Sequence, residues 1–193
     1  MFNHNRGLWG YTGMAPDGEP LTIMSHGMGG PSAAIVLEEL CDLGLEHFVR
    51  VGTCGALSGE LRTGELVAVT AAIAGDGTSR ALGADGQVAA DAGITSELIA
   101  RAEHHGLVVS TDLLYDPEPA RAESWRERGA IAVEMEAATV LMVARRRSVR
   151  GACLLAVSDS EPGAGERIAD DDLEAAALRL GEAALAALVA ACN

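Results

Sequence analysis

The stretch Val49-Arg50-Val51-Gly52-Thr53-Cys54-Gly55-Ala56 places an arginine inside an apolar run that ends in small residues. Short apolar runs closed by turn residues are typical of strands that are buried on both faces of a parallel sheet. We therefore predict a core strand of an α/β fold, with Arg50 at its carboxyl end. An arginine near a core needs an anion, and its planar fork suits phosphate or a carboxylate.

Two kinds of anion can satisfy this guanidinium. A bound oxyanion is one, because ligands gather beyond the carboxyl ends of strands in open α/β sheets. Thr53 would add a hydroxyl there, and Gly52 and Gly55 would let backbone amides approach the ligand. The other is an internal Asp or Glu in a structural salt bridge, and the stretch alone leaves both open.

The overall composition indicates one globular domain and excludes some classes of binding partner. At 193 residues, with 49% apolar residues and 3% aromatic ones, the chain can bury a core built mainly from Ala, Val, Leu and Ile. The formal charge of -14, with no lysine among its cations, argues against nucleic-acid or anionic-membrane binding. A local pair of arginines can still hold a small anionic substrate.

The four cysteines are widely spaced and show no metal-ligand pattern: Cys41, Cys54, Cys153 and Cys192. We therefore expect reduced thiols in a cytoplasmic protein, and no metal site. The chain shows no signal-peptide pattern and no apolar run long enough to span a bilayer.

A glycine turn connects the second predicted strand to the first predicted helix. A strand at 21–25 runs into His26-Gly27-Met28-Gly29-Gly30, and Pro31 begins a helix that stops at Gly44. The turn matches neither a dinucleotide fingerprint nor a P-loop. A helix amino terminus beside such a turn is either an anion or hydroxyl site or a tight connection without a ligand.

The middle of the chain carries weaker signals. We predict a strand at 67–74, a loop at 75–90, a helix at 94–105 and a strand at 107–110. His104 and His105 fall at the end of the predicted helix, where cations are favoured, and we interpret them as a solvated cap rather than as metal ligands.

A second informative stretch is Ala130-Ile131-Ala132-Val133-Glu134-Met135-Glu136, an apolar strand that meets two carboxylates before a helix. Alternation points Glu134 and Glu136 to the same side. A carboxylate accepts two hydrogen bonds from a vicinal diol such as that of ribose, and a helix start favours its ionised form. We interpret Glu134 as a helix cap and leave the diol role open for Glu136.

The last predicted strand, 151–157, ends at Ser158-Asp159. An aspartate just past a core strand is a candidate acid. The loop that follows, 160–169, is polar and contains glycines and Arg167, as expected of a lid over a site. Three aspartates at 170–172 then begin a terminal helix and are interpreted as caps.

In combination, these motifs resemble those of the nucleoside phosphorylase family, in the branch of hexameric bacterial purine nucleoside phosphorylases and uridine phosphorylases. The resemblance covers nearly the whole chain and is carried by five motifs in the family's order: Arg6-Gly7-Leu8-Trp9-Gly10-Tyr11-Thr12-Gly13, His26-Gly27-Met28-Gly29-Gly30-Pro31-Ser32, Arg50-Val51-Gly52-Thr53-Cys54-Gly55, Val133-Glu134-Met135-Glu136-Ala137-Ala138 and Ser158-Asp159. It implies one domain over residues 1–193, a three-layer α/β/α sandwich around a mixed, partly barrel-like sheet.

The resemblance also implies a reaction, in which phosphate attacks C1′ of a nucleoside and releases the base and ribose 1-phosphate. Purines are favoured because the uracil-reading Gln-x-Arg segment of uridine phosphorylases is absent. No cofactor is implied, since inorganic phosphate is a co-substrate. The expected assembly is a dimer-based homo-oligomer, a hexamer by resemblance.

Each candidate site residue receives its role from the same resemblance. Arg50 and Thr53 would hold phosphate, and Arg6 would reach the phosphate of a neighbouring subunit. The ribose would contact Met28, Met135 and Glu136, with Glu136 holding its hydroxyls. Asp159 would protonate the purine at N7, with Arg167 assisting. The base would lie against the remaining four residues: Cys54, Gly55, Leu114 and Ser158.

This chain departs from the family pattern at three points. The family begins with a strand and a Gly-Asp-Pro-x-Arg phosphate loop ahead of the Arg6 motif, so we expect the sheet to lack one strand and the phosphate site one arginine. Leu114 stands where hexameric purine enzymes commonly carry an aromatic residue, which weakens base stacking. The loop after Asp159 is short. The alternatives are therefore a uridine phosphorylase, a phosphate-independent nucleosidase and a nucleoside-binding relative without turnover.

Overall fold

The computed structural model describes residues 1, 3–118, 120–160 and 167–192. A 3-10 turn at Asn5–Gly7 comes first. Strands and helices then follow in this order: β1 (Gly10–Met14), β2 (Pro20–Met24), α1 (Gly30–Asp42), β3 (His47–Ala56), β4 (Leu66–Ala74), α2 (Gly77–Ala81), β5 (Gln87–Ala89), α3 (Ala92–Ile99), β6 (His104–Ser110), α4 (Ala120–Glu127), β7 (Ala130–Glu134), α5 (Ala137–Arg147), β8 (Arg150–Asp159) and α6 (Asp170–Cys192).

The central sheet is mixed and partly closed. Its strands lie in the order β5-β4-β6-β7-β3-β8, and β8 also pairs with β4. That extra pairing joins β4, β6, β7, β3 and β8 into a ring, with β5 attached to its outside. Strand β3 is parallel to β8 but antiparallel to β7. The predicted mixed, partly barrel-like sheet is confirmed.

Helices cover the sheet on both sides and complete a three-layer architecture. Helices α1 and α5 contribute to one core, and α3 and α6 to another. Alternate residues of β4 divide between these cores, since Val67 and Val69 belong to the first and Leu66 and Ala68 to the second. The sandwich predicted from the sequence is therefore confirmed.

Strand β3 carries Arg50, but it is less enclosed than its sequence predicts. It pairs with β8 along its length, whereas β7 pairs only with Gly55 and Ala56. Over 49–53, no strand among the described residues occupies its second edge, and Val51 is 42% exposed. Strands β1 and β2 form a separate antiparallel hairpin. Val51 and Thr53 share one face of the strand, and both are exposed. The prediction of burial on both faces is therefore wrong for this half of β3.

Arg50 lies in the middle of β3 and not at its carboxyl end. The extended backbone continues to Ala56, because Gly52 and Gly55 take their places in the register with β8 instead of forming a turn. Glycine lacks a side chain to pack, but it does not prevent strand pairing.

Two other predicted elements differ from the structure. The stretch 75–90 forms α2 and β5 instead of a loop, and the Asp76 side chain caps α2 by accepting from Ser79 N at 2.7 Å. The helix predicted to reach residue 105 ends at Ile99, and His104 and His105 begin β6. Parallel pairing with β4 decides this conformation over the local helical spacing.

The terminal helix α6 begins with three aspartates in its first turn, as predicted. Their charge is favourable there because a helix amino terminus carries a partial positive charge. Within the described ranges, no helix, α6 included, combines the length and apolar character that crossing a bilayer requires.

Candidate active site

Arg50 lies between two carboxylates in a buried ion cluster, formed by Arg50, Glu134 and Glu136. Its Nη1 is 3.0 Å from Glu134 Oε2, and its Nη2 donates to Glu136 Oε2. These residues are 7%, 4% and 6% exposed. Alternation correctly predicts that both glutamates point to one side. Of the two partners that the sequence leaves open for Arg50, the structure shows the internal carboxylates.

The guanidinium of Arg50 is held against its own strand and β8. A Cβ atom built on Gly52 would lie 2.9 Å from Arg50 Nη2 and 3.2 Å from Cζ, so glycine makes room for the guanidinium. Nη1 also donates to Cys153 Sγ at 3.4 Å. Burial opposes the charge of Arg50, but Glu134, Cys153 and Glu136 outweigh it and raise the pKa of Arg50 above its usual value. The cation is therefore permanent.

Glu134 joins the ion cluster to the start of α5. Its Oε2 accepts from the backbone N of Glu136 and of Ala137, each at 2.8 Å, and its Oε1 accepts from Ser110 Oγ. The helix cap predicted for Glu134 is confirmed. The same carboxylate is also the partner of Arg50, a contact that its sequence position does not reveal.

Glu136 connects the ion cluster to the glycine turn before α1. Its Oε1 accepts from Gly29 N at 2.5 Å. Gly29 has a φ of +83°, a conformation that favours glycine, and a Cβ on Gly30 would lie 2.7 Å from Thr139 Oγ1. The two glycines thus let the turn approach the start of α5. The sequence leaves this turn as a ligand site or a plain connection, and the structure places it against Glu136.

Three predicted ligand contacts, Met28, Met135 and Leu114, lie close in sequence to residues that form or contact the ion cluster. Met28 precedes Gly29 and is 87% exposed, and Met135 precedes Glu136 and is half-buried. Leu114 is 70% exposed on the loop after β6, the strand that supplies Ser110 to Glu134. Each of these three side chains is at least partly exposed to solvent.

Apart from Leu114, the residues predicted to recognise and protonate the base meet where β3 and β8 end. Gly55 pairs with Asp159 in the parallel register. Ser158 Oγ lies 3.2 Å from the Cys54 carbonyl oxygen and 2.7 Å from Asp159 Oδ2. Arg167 is exposed and pairs with Asp159 through a backbone β-bridge, so the cation and the candidate acid are neighbours.

The buried thiol of Cys54 belongs to the same end of the strands. Burial raises its pKa above the usual range, so the side chain is a neutral thiol at physiological pH. A neutral thiol that is 3% exposed offers no charge to a ligand.

Two residues predicted to bind phosphate stand apart from Arg50. Thr53 is exposed and, three positions further along an extended strand, faces the side opposite to Arg50. Arg6 is exposed in the 3-10 turn and forms no ion pair with the described residues. Most of the predicted lid, 161–166, lies outside the described residues.

Sequence reasoning missed three polar residues around the cluster. Ser110 ends a predicted strand, and that position is a usable signal. Cys153 faces Arg50 only through the β3–β8 register, which the sequence does not show. His26 has a buried Nδ1 without a hydrogen-bond partner among the described residues, and burial, with Arg50 nearby, lowers its pKa. Its imidazole is therefore neutral at physiological pH.

No group of His, Cys, Asp and Glu side chains in the described part of the chain is arranged to hold a metal ion. The arrangement instead offers a buried cation beside two carboxylates, and an aspartate with a hydroxyl where β3 and β8 end. An anion and a polyhydroxy compound are the ligands that such groups recognise.

Comparisons with known proteins agree with these features. Residues 1–192 match the family model of the Phosphorylase superfamily. Guanosine phosphorylase of Halorubrum lacusprofundi is 38% identical over 165 residues, which cover 82% of this chain and 68% of that protein. Purine nucleoside phosphorylase DeoD-type of Shewanella amazonensis is 33% identical over 176 residues, which cover 86% of this chain and 74% of that protein.

A solved structure extends the likeness to the fold. The crystal structure of uridine phosphorylase from Vibrio fischeri, complexed with 6-hydroxy-1-naphthoic acid, superposes with a TM-score of 0.84 at 27% identity. The superposition covers 99% of this chain and 81% of that chain. Because the family match spans almost the entire sequence and the fold agrees with it, this chain belongs to the phosphorylase superfamily.

Proposed function

We propose that this protein catalyses the phosphorolysis of purine nucleosides to the free base and a pentose 1-phosphate. The observation that carries the proposal is the direct contact between Arg50 and Glu136. A guanidinium suits phosphate and a carboxylate suits the diol of ribose. Ligands bound at these two groups would therefore touch, as phosphate and C1′ of the sugar must.

The named relatives support purines as substrates. The guanosine phosphorylase and the DeoD-type purine nucleoside phosphorylase are 38% and 33% identical to this chain, whereas the uridine phosphorylase is 27% identical. Purine nucleoside phosphorylases are pentosyltransferases, and we assign this chain to the same enzyme class. Inorganic phosphate is then a co-substrate, and the proposal includes no cofactor.

Asp159 is the proposed general acid. Cleavage of the glycosidic bond leaves positive charge on the sugar and negative charge on the departing base, so a proton delivered to purine N7 stabilises the leaving group. Ser158 Oγ, 2.7 Å from Asp159 Oδ2, orients the carboxyl group. Arg167 is its neighbour through the β-bridge and supplies a cation at the same place.

A second copy of the chain is part of the proposal. Arg6 forms no ion pair with the described residues of its own chain, and we assign it to the phosphate of a neighbouring protomer. Apolar side chains around the β1–β2 hairpin support contact with another copy, because Trp9, Tyr11 and Ile23 are 53%, 48% and 66% exposed. The proposed unit is therefore at least a dimer.

An assay with four nucleosides tests the function. Inosine, guanosine, adenosine and uridine are incubated with the protein, with and without inorganic phosphate, and free base is quantified. We expect purine release that requires phosphate. Equal release without phosphate would indicate hydrolysis, release from uridine alone would overturn the purine assignment, and binding without release would identify a protein that has lost turnover.

The proposed oligomeric state is tested separately, by the molecular mass in solution. Light scattering at the assay concentration should give a mass of at least two chains. A fully active monomer would remove Arg6 from the proposed phosphate site.

A further inference from the structure

The ion cluster of Arg50, Glu134 and Glu136 occupies the groups that the proposed function assigns to the two substrates. Glu136 uses Oε1 for Gly29 N and Oε2 for Arg50 Nη2. Arg50 uses Nη1 for Glu134 and Cys153. Its Nε is buried and has no hydrogen-bond partner among the described residues, and its Nη2 contacts Glu136, so an oxyanion that takes the place of Glu136 would bind at Nη2. Phosphate and ribose therefore compete with an internal ion pair.

The two glutamates are held to different extents. Glu134 is fixed by two backbone N–H groups at 2.8 Å and by Ser110 Oγ, in addition to Arg50, and its side chain is 0% exposed. Among the described residues, the Glu136 side chain has one contact besides Arg50, to the backbone N of Gly29 in a turn, and it is 8% exposed. Moving Glu134 would uncap α5, whereas moving Glu136 breaks one hydrogen bond to a turn.

We propose that Glu134 is the fixed partner of Arg50 and Glu136 its exchangeable partner, so that an oxyanion and a nucleoside assist each other's binding. The inference rests on the proposed function. An oxyanion that replaces Glu136 at Nη2 keeps the guanidinium paired, and it frees Oε2 of Glu136 to accept a sugar hydroxyl.

A nucleoside that binds alone meets a cost that the oxyanion removes. To reach Glu136 Oε2, its diol must separate a buried ion pair and leave Arg50 Nη2 without an acceptor, which is unfavourable in a site with little water. With the oxyanion already bound, the same diol meets a free carboxylate oxygen. Because coupling between two binding sites is reciprocal, the nucleoside must also tighten oxyanion binding by the same factor.

Calorimetry with an unreactive oxyanion tests this coupling. Sulfate replaces phosphate, so guanosine binds without turnover, and its Kd is measured without and with saturating sodium sulfate. We expect the Kd to fall about tenfold in sulfate, within the usual range for coupled sites. The control ligand is 2′,3′-dideoxyguanosine, which lacks the diol and whose Kd should not change.

Matched variants locate the exchange. Glu136→Gln should abolish the effect of sulfate on guanosine, because the exchangeable charge is gone. Glu134→Gln should keep it, since Glu136 is still present. Loss of the effect in Glu134→Gln alone, or an equal effect of sulfate on the dideoxy ligand, would overturn the proposal. The comparison of the two ligands needs only the unmodified protein, so it decides the matter even where a variant does not fold.

Failure of the inference differs from failure of the function. Phosphate-dependent release of guanine together with an unchanged guanosine Kd in sulfate would refute the coupling and leave the proposed function standing. Absence of both guanosine binding and phosphate-dependent release would refute the function, and the inference with it.

Discussion

Arg50 and Glu136 lie 86 residues apart in the sequence, and their side chains form a buried ion pair. The contact joins the middle of β3 to the start of α5, two places that sequence patterns single out for different reasons. In the proposed reaction one group receives phosphate and the other receives the sugar. Changes to either side chain should therefore affect both ligands, but unequally.

Replacing Arg50 by Lys keeps the charge but removes the planar fork. An ammonium group cannot pair with Glu134 and Glu136 in the same geometry, because it lacks the fixed pair of donors. We expect the KM for phosphate to rise at least about tenfold, equivalent to the loss of roughly one charge-assisted hydrogen bond. Steady-state kinetics with phosphate and guanosine varied separately measures this.

The matched control for Arg50→Lys is Arg62→Lys. Arg62 is exposed and its side chain forms no ion pair in the described part of the chain, so both KM values should stay unchanged. An equal rise in both KM values for Arg50→Lys would contradict a primary role in phosphate binding.

Gly52→Ala tests the packing of the same guanidinium. The new Cβ would lie 2.9 Å from Arg50 Nη2, and the ion pairs restrict how far the guanidinium can move. We expect the free energy of unfolding to fall by about 1–3 kcal/mol, as in overpacked cores. Urea denaturation measures it.

Gly59→Ala is the control for the same chemical change. A Cβ on Gly59 meets no atom within 4 Å, so its unfolding free energy should change by less than about 0.5 kcal/mol. Equal losses in the two variants would show that the backbone, and not Arg50, is sensitive at position 52.

The fold was largely readable because its signals are local. The apolar runs of β4, β7 and β8 and the capping glutamate before α5 depend on periodicity and on turn residues that act within a few positions. The partner of Arg50 was not readable in this way. Cys153 and Glu136 contact Arg50 because of the strand register and the closure of the sheet, and neither is visible as a local pattern in the sequence.

The two errors in element assignment have different origins. His104 and His105 continue an apparent helix, but pairing with β4 extends them as a strand. The stretch 75–90 contains glycines and aspartates that favour turns, yet Asp76 uses its carboxylate to cap a helix. At 104–105, pairing that is distant in sequence outweighs local preference, whereas at 76–79 a local side-chain cap turns a predicted loop into a helix.

Asp159→Asn tests the proposed acid. Asparagine preserves the shape and can still hydrogen-bond Ser158, but it cannot deliver a proton to the base. We expect kcat for guanosine to fall by roughly 10²- to 10⁴-fold, the usual contribution of general acid catalysis. Any uridine activity should fall less, since uracil has no N7 to protonate.

Asp85→Asn serves as the control. Asp85 is exposed, and this substitution removes the same charge as Asp159→Asn. Its kcat should match that of the unmodified protein. If Asp159→Asn lowered purine and pyrimidine turnover by the same factor, Asp159 would not be the N7 donor.

Thr139→Val tests the polar contact behind the glycine turn. Thr139 Oγ1 donates to Asp76 Oδ2 at 2.8 Å, and both residues are fully buried. Valine has a similar shape but leaves this carboxylate oxygen with fewer donors, so we expect a loss of about 1–3 kcal/mol in the free energy of unfolding. Thermal and urea denaturation measure the change.

Thr95→Val provides a control with the opposite expectation. Thr95 is 6% exposed, and its Oγ1 has no hydrogen-bond partner among the described residues. Removing an unpaired buried hydroxyl should leave stability unchanged or raise it slightly. Similar losses in both variants would mean that exchanging a buried threonine hydroxyl for a methyl group is destabilising in itself, whether or not that hydroxyl contacts Asp76.

Asp91→Asn tests a pH-dependent contact between α3 and β8. The Asp91 side chain accepts from Ile94 N at 2.9 Å as a helix cap and lies 3.0 Å from Arg150 Nη2. The hydrogen bond from Arg150 lowers the pKa of Asp91, although partial burial opposes this. A lowered pKa in the folded state means that stability from Asp91 is present above the unfolded pKa of about 3.9 and is lost as the pH falls through the folded value.

Asparagine keeps a cap acceptor but removes the charge. At pH 7 we expect Asp91→Asn to be less stable by about 0.5–1 kcal/mol, a modest value because the pair is partly exposed to solvent. The difference from the unmodified protein should shrink below about pH 4 and vanish once Asp91 is protonated in the folded state. Urea denaturation from pH 2 to 7, with Asp85→Asn as the exposed control, measures it. A difference of constant size across that range would assign the effect to the cap and not to the ion pair with Arg150.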